Sequence, residues 1–290
     1  MKLAQTRIAI VLAILGVTTL VATSSGCGVI NRIRSKNQLN EAARAYREGR
    51  FVEAEQYSRR AAELDPANNT APMFIARTIH AQYRPGVQTP DNIAKAQEAI
   101  EAYQKILQRN PSNDEAYKAI AYLYGAIKDN DKLKQWITAR ATSDATDPTK
   151  RAEAYVVLAS KDWECSFQIT ELPGNKLTTV DPSNNKATIS YRKPKDQKDF
   201  DRAQMCVKQG LGEAENAIKF DPNNESAWSY KTNLLLEASK LAEMEGQTEQ
   251  KAQYQKDYEA ALKRTTELSA AAEKRKEEEA ARQQASPPKG

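Results

Sequence analysis

The side chains that most often carry chemistry are scarce in this sequence. His80 is the only histidine among 290 residues, so no histidine cluster can bind a metal ion and any catalytic triad would need this one ring. The stretch Gly210-Leu211-Gly212 lacks the third glycine of a phosphate-binding loop and lies in a predicted helix rather than after a strand. We therefore predict that the protein is not an enzyme and has no cofactor, metal or small-molecule substrate.

The chain begins like an exported protein. Lys2 and Arg7 precede an apolar run over 8–22, and small residues follow at 23–26. This order is typical of a signal peptide, which we predict over 1–26. The run is shorter than the roughly 20 residues that span a bilayer, although extending it through Ile30 would give enough length. A retained anchor therefore remains an alternative.

The segment Ser24-Ser25-Gly26-Cys27 resembles the lipoprotein box of bacteria, in which a small residue precedes a cysteine that receives the lipid. Gly26 and Cys27 match that pattern, whereas Ser24 stands where the family prefers leucine. The resemblance implies lipidation of Cys27 and a tether over 27–36, with the body facing the periplasm. Ordinary cleavage near Ser24 would instead release a secreted protein.

Composition predicts an all-α body. The chain has 43 basic and 38 acidic residues, a net charge of +5, which is too small a surplus to indicate nucleic-acid binding. Glycine is rare, at 11 of 290, while Ala, Glu, Lys, Gln and Arg are abundant. These residues favour helices.

One kind of helix-ending turn recurs along the chain. Pro66, Pro111 and Pro222 each follow an Asp or Asn at the end of a helical run, and Pro148 marks a weaker copy. Proline cannot continue a helix because it lacks the amide hydrogen. Small or apolar residues stand twelve and five positions before each strong proline: Ala54 and Ala61, Ala99 and Ile106, Gly210 and Ala217.

These repeats resemble the tetratricopeptide repeat, a pair of antiparallel helices with a period of 34 residues. The spacings between successive prolines are 45, 37 and 74 residues, which we interpret as 34-residue units with insertions. The resemblance implies a solenoid of about five helix pairs over 37–268, followed by a charged, partly disordered tail over 269–290.

The largest insertion lies over 165–198, inside the fourth pair. Turn-forming clusters there separate three β-branched stretches, 167–170, 177–180 and 187–191, which predicts a hairpin or a three-stranded meander. Cys165 and Cys206 flank the insertion, so adjacent helices could bring them together as a disulfide; two buried free thiols are the alternative. The exposed edge of such a sheet could also accept a strand from a partner.

The resemblance to tetratricopeptide repeats also implies where partners bind, since the first helix of each pair lines a groove that holds peptides or helices. Tyr, Trp and Arg dominate binding hot spots, although such side chains often pack between helices instead. The groove candidates are Tyr46, Arg47, Arg77, His80, Lys118, Tyr122, Tyr155, Trp163 and Asn233. We therefore predict a membrane-tethered scaffold that binds proteins or peptides of the cell envelope. The alternative is a secreted or N-terminally anchored structural protein that associates with itself.

Overall fold

A computed structural model describes residues 28–183 and 185–285, and over these residues the protein is built of helices with one small sheet. The chain divides into two compact units between Leu133 and Lys134. The first unit holds α1 over 28–47, α2 Phe51–Leu64, α3 Thr70–Gln82, α4 Pro90–Arg109, α5 Asp114–Ala126 and the start of α6 Asn130–Thr142. The second unit holds the rest of α6, then α7 Pro148–Thr170, β1 Lys176–Val180, β2 Ala187–Tyr191, α8 Gln197–Phe220, α9 Glu225–Met244 and α10 Thr248–Ala285. The predicted all-α fold of tetratricopeptide type with a small β insertion is confirmed.

The three strong proline turns share one geometry. The residue before each proline has a φ between −138° and −141°, and its N–H donates to the carbonyl four residues earlier, which ends the helix. Two positions after the proline, the side chains of Asn68, Asn113 and Asn224 accept the N–H three residues further on, at 3.3, 2.9 and 3.0 Å. Asn113 and Asn224 are the N-caps of α5 and α9, and each such cap stabilises a helix by about 1 kcal/mol; Asn68 lies one residue before Asn69, the N-cap of α3. The repeated Pro-x-Asn pattern therefore ends one helix and begins the next.

The first unit packs its helices in chain order, α2 on α3, α3 on α4 and α4 on α5. The small residues predicted at the close approaches, Ala54, Ala61 and Ala99, are fully buried. Residues 28–36, for which we predicted a tether, are helical and form the first part of α1. Ser35 of this segment is buried against α2, where its hydroxyl donates to the carbonyl of Ala61 at 2.8 Å.

The second unit has a core where α7, α8 and α9 meet. Apolar side chains from the three helices form this core: Ile169, Phe200, Ala203, Val207, Ala238 and Leu241. Gly210 lets α8 approach its neighbours, since a Cβ at this position would lie 2.7 Å from a methyl carbon of Leu234 and 2.9 Å from Cβ of Asp162. Only glycine therefore fits at position 210 without a shift of the packed helices.

The insertion is an antiparallel hairpin in which Lys176 pairs with Tyr191 and Val180 with Ala187. The hairpin is one of the two forms that we predicted. The strand predicted over 167–170 is wrong, because these residues are the last turn of α7. Their β-branched side chains serve the helix core: Ile169 and Thr170 are buried on the same face as Ser166, at the three- and four-residue spacing of a helix.

The predicted pairing of the two cysteines is present. The sulfur atoms of Cys165 and Cys206 are 2.06 Å apart, and the bond joins α7 to α8 across a sequence separation of 41 residues. The insertion lies between these two positions along the chain. Closing a loop of this length stabilises a fold by about 4 kcal/mol in the chain-entropy description.

A buried polar network connects α7 to α9. The carboxylate of Glu237, only 1% exposed, accepts the hydroxyl of Ser166 at 2.8 Å and that of Thr170 at 2.7 Å on one oxygen. Its other oxygen accepts the ammonium of Lys240 at 2.6 Å. Every oxygen of this buried carboxylate therefore has a partner, which is the condition for burying a charge without a large penalty.

The same network holds the root of the hairpin. Lys240 also donates to Glu171 at 2.7 Å, and Glu171 accepts the hydroxyl of Tyr191 at 3.1 Å and the ammonium of Lys176. Burial alone would raise the pKa of Glu171, but hydrogen bonds from Lys176 and Lys240 outweigh it and lower this pKa to about 2. The carboxylate is thus strongly stabilised in its charged form.

Candidate functional site

The candidate site is a cavity of about 860 Å³ in the first unit, which we call the aromatic groove. Residues of α1, α3, α4, α5 and the α3–α4 loop form its walls. Tyrosine and histidine rings make up much of this lining: Tyr46, His80, Tyr83, Tyr103 and Tyr122. The remaining walls are Arg77, Ala81, Pro85, Asp114, Glu115, Lys118 and Ala119. Five of the nine predicted groove residues therefore line one cavity.

An ion pair fixes α3 relative to α5 beside this groove. Arg77 donates through Nε and Nη2 to the two carboxylate oxygens of Glu115, each at 2.6 Å. These hydrogen bonds raise the pKa of Arg77 and lower the pKa of Glu115. Both side chains are roughly half exposed, so the bidentate geometry sets the register of the two helices more than it adds stability.

His80 lies beside two aromatic rings, those of Tyr103 and Tyr122. Its Nδ1 is 3.3 Å from the hydroxyl of Tyr103, and its ring lies edge-on to Tyr103 and 5.6 Å from the ring centre of Tyr122. Burial lowers the pKa of His80 and raises the pKa of Tyr103. Both groups are therefore neutral at pH 7, and the floor of the groove carries no charge.

Tyr83 adds an unsatisfied donor to the groove wall. Its side chain is buried, and its hydroxyl has no hydrogen-bond partner among the described residues. The loop after it is fixed by Asn92, whose side chain accepts the N–H of Arg84 at 2.8 Å and donates to the carbonyls of Arg84 and Val87. These hydrogen bonds hold the α3–α4 loop, whose Pro85 lines the groove.

The rim of the groove carries exposed tyrosine rings and charged side chains that are paired with one another. The side chains of Tyr46 and Tyr122 are 38% and 51% exposed. Lys118 lies 2.7 Å from Asp114, one helical turn away. With Arg77 held by Glu115, two cations and two carboxylates give a net charge of zero. The groove therefore offers apolar, aromatic contact area rather than a charged pocket.

The other four predicted groove residues lie elsewhere. Arg47 is exposed at the end of α1 and does not line the aromatic groove. In the second unit, Tyr155 is buried and stacks on Phe220 with ring centres 5.8 Å apart. Trp163 packs against Phe167 and Tyr230, and Asn233 is half-buried on α9. Packing between helices thus occupies Tyr155 and Trp163.

Sequence reasoning missed several residues of the groove. Tyr103 belongs to the second helix of a pair, which our assignment of first helices left out, and Tyr83 belongs to the following loop. Glu115 stands 38 positions after Arg77, in the first helix of the next unit and two helical turns before the position that corresponds to Arg77. An opposite charge one unit away on the same helix face was a signal that could have found this pair.

Two predictions concern features outside this site. The signal peptide over 1–26 and lipidation at Cys27 lie outside the described residues. Within 28–183 and 185–285, no three His, Cys, Asp or Glu side chains are grouped so that they could bind a metal ion. None of the helices over the same residues combines the length and the apolar character that crossing a bilayer requires.

Comparisons with known proteins find distant likeness only. The protein prenyltransferase alpha subunit repeat, a helical repeat similar to the tetratricopeptide type, matches residues 211–238, the end of α8 and the start of α9. No curated protein matches the sequence.

Among solved structures, MamA (residues 41 to the end) from Desulfovibrio magneticus RS-1 is 13% identical, with 82% of this chain and 96% of that chain covered at a TM-score of 0.40. PilF of Pseudomonas aeruginosa is 13% identical over 83% and 99% of the two chains, at 0.36. YrrB, described as a TPR protein with an unusual peptide-binding site, is 14% identical over 78% and 88%, at 0.32. Scores this low carry no functional information. The helix pairs and the repeat match give the chain an all-α fold of tetratricopeptide-like repeats.

Proposed function

We propose that this protein is a non-catalytic scaffold that binds segments of partner proteins in the aromatic groove. The observation that carries the proposal is the groove itself, an open cavity of about 860 Å³ with five aromatic rings in its walls. Exposed tyrosine rings supply large contact areas at a small cost in side-chain entropy, and Tyr and Arg are enriched among the residues that dominate binding.

The chemistry of the groove indicates which segments it would hold. Its charges are paired within the protein, and its floor is neutral. A charged side chain entering the groove would lose water without gaining a free opposite charge. The groove therefore favours a segment anchored by an apolar or aromatic side chain, and the hydroxyl of Tyr83 offers a hydrogen bond to such a segment after a small local movement.

The proposal also includes a place in the cell. The order of charged, apolar and small residues before Cys27 supports export, and the likeness of 24–27 to a lipoprotein box supports a lipid anchor. The scaffold would then act in the cell envelope. Labelled fatty acid should be incorporated into the natural chain and not into Cys27→Ser, and the variant should leave the membrane fraction. Absence of label in the natural chain, with the variant still in the membrane fraction, would show that the anchor is of another kind.

Photo-cross-linking tests groove binding in intact cells. A photoreactive residue placed at Tyr122, which is 51% exposed, should capture a discrete partner. The same residue at Val52, which is 60% exposed on α2 and does not line the groove, is the matched control. Capture should fall when Tyr46→Ala is added. Equal capture at both positions, or products made only of this chain, would contradict the proposal; the latter would favour a self-associating structural protein.

A further inference from the structure

We propose that the outer edge of β1 is a docking site for an extended, acidic segment of a partner protein, which would add a third strand to the hairpin. The proposal concerns the second unit and is independent of the aromatic groove. Addition of a strand uses main-chain hydrogen bonds for affinity and alternate side chains for specificity. Four features of the hairpin support it.

The first feature is the direction of the main-chain groups. The N–H of Asp181 donates to the main-chain carbonyl of Lys186 across the turn, at 3.0 Å. Since bonded and non-bonded pairs alternate along an antiparallel ladder, Thr178 and Val180 direct their N–H and C=O groups away from β2. Tyr191, which pairs with Lys176, belongs to another non-bonded pair. Its N–H points away from β1 as expected and donates to the carboxylate of Glu243 at 3.0 Å. Within the described residues, the outward groups of Thr178 and Val180 make no hydrogen bond.

The second feature is that the middle of this edge is unprotected, since the lysine of β1 lies at its start and Asp181 and Pro182 follow its end. Edge strands commonly carry a proline, a bulge or a charge that prevents pairing. The stretch Leu177–Val180 has none of these, and two of its four residues are threonine. Val180 and Ile189 lie on one face of the hairpin and are 58% and 50% exposed. A third strand would cover part of this apolar face.

The third feature is the rigid root of the hairpin. An isolated two-stranded hairpin is marginally stable in water. Here β2 packs against α9, and Glu171 binds Lys176 on β1 and Tyr191 on β2. The N–H of Arg192 also donates to the carbonyl of Asn175 at 2.7 Å. The edge is therefore held in place before a partner binds, which reduces the entropy lost on binding.

The fourth feature is charge. Residues 176–195 contain one acidic residue, Asp181, and five basic residues, which gives a net charge of +4 where the whole chain has +5. The basic residues are Lys176, Lys186, Arg192, Lys193 and Lys195. Lys176 is paired with Glu171, and Lys193 lies 3.8 Å from Glu245. Arg192 and Lys195 are exposed and form no ion pair within the described residues, so these two cations supply the positive charge that acts on a bound segment. A segment carrying Asp or Glu would be attracted to this edge.

A partner segment fits this edge better than the other possible occupants. A second copy paired through five-residue edges would bury far less than the roughly 1,200–2,000 Å² of a stable dimer. An anionic membrane would match the charge but would leave the outward main-chain groups without partners. An acidic extended chain satisfies both the charge and the main chain.

Amide hydrogen exchange measured by NMR on the full chain tests the proposal. The probe is a synthetic peptide in which Glu alternates with Val and Thr, and the control peptide has Lys in place of Glu. The acidic peptide should slow exchange at Thr178 and Val180 by about tenfold or more, whereas Thr179, whose N–H already faces β2, should change little. No slowing at Thr178, or equal slowing by the Lys peptide, would overturn the proposal.

Two variants and a vesicle arm complete the test. Thr178→Pro removes an outward N–H and should weaken binding of the acidic peptide about tenfold, while Thr178→Val keeps the N–H and should bind normally. Arg192→Glu should also weaken it, more at low salt than at high salt. Unchanged affinity in Thr178→Pro would refute strand addition. Tight binding to phosphatidylglycerol vesicles without peptide binding would instead assign the edge to a membrane surface.

Discussion

Replacing Glu171 by glutamine should make the second unit less stable at neutral pH but not in acid. The carboxylate of Glu171 receives hydrogen bonds from Lys176, Lys240 and Tyr191. Glutamine keeps the shape of the side chain but removes the charge. It also leaves the ammonium of Lys240, which is 6% exposed, with one carboxylate instead of two.

The size of this effect follows from the pKa of Glu171. The difference between its ordinary value of 4.5 and its folded value of about 2 corresponds to about 3 kcal/mol, at 1.36 kcal/mol per pKa unit. Because a fifth of the side chain is exposed, solvent screening lowers this value, and we expect about 2 kcal/mol. Since the folded pKa is depressed, the stabilisation is complete above pH 4.5 and is lost as the pH falls from about 4.5 towards 2.

Urea unfolding followed by tryptophan fluorescence measures this loss. All three tryptophans of the chain, Trp136, Trp163 and Trp228, belong to the second unit, so their signal reports on that unit. Glu171→Gln should lower the free energy of unfolding by about 2 kcal/mol at pH 7, and the difference from the natural chain should shrink below pH 4. The matched control is Glu259→Gln, which removes an exposed carboxylate of α10. A difference that stays constant between pH 7 and pH 3 would refute the reasoning.

Three further predictions use the same unfolding measurements, with circular dichroism as the signal for the first unit. Gly210→Ala should destabilise the protein by about 1–2 kcal/mol, because the added methyl group would overlap Leu234 and Asp162. Gly212→Ala, with nothing within 4 Å of the new Cβ, should instead stabilise α8 by about 0.5–1 kcal/mol. Equal effects of the two substitutions would contradict the close approach at Gly210. Tyr83→Phe should raise the free energy of unfolding of the unbound protein by about 1 kcal/mol, since it removes a buried hydroxyl without a partner; a loss of similar size would indicate a hidden partner. Replacing both Cys165 and Cys206 by alanine should cost about 2–4 kcal/mol, and a cost below 1 kcal/mol would mean that the crosslink constrains the unfolded chain very little.

The sequence predicts well the features that depend on residues close together along the chain. The Pro-x-Asn pattern at Pro66, Pro111 and Pro222 fixes a helix end and the next helix start within a few residues, so the turns could be placed without tertiary information. The cysteine pairing followed because the helices on either side of an insertion are neighbours. In contrast, the β-branched residues 167–170 suggested a strand, and the helical spacing that buries Ile169 was overlooked.

The features that the sequence did not predict depend on contacts between distant positions. In the run Leu234-Leu235-Leu236 of α9, Leu236 is 42% exposed, while the neighbouring Glu237 is buried. That burial is possible only because Ser166 and Thr170, about 70 positions earlier, supply hydrogen bonds. Sequence periodicity contains no information on such a pairing.

The same limit applies to the groove. Its first-helix residues, such as Arg77 and Tyr122, could be predicted from the resemblance to tetratricopeptide repeats, because the family uses that face. Tyr155, predicted by the same rule, is buried against Phe220 instead. Whether an inner position is open or packed is decided by the size of the side chain opposite it, which the repeat pattern does not specify.

The affinity of the captured partner segment for variants of the aromatic groove tests the central proposal most directly. The dissociation constant should be measured by calorimetry for the natural chain, for Tyr122→Ala and for the control Val52→Ala. We predict that Tyr122→Ala weakens binding about thirtyfold, the effect of losing about 2 kcal/mol at a binding hot spot, while Val52→Ala binds like the natural chain. Binding by Tyr122→Ala within twofold of the natural chain would contradict the proposal that the groove is the binding site.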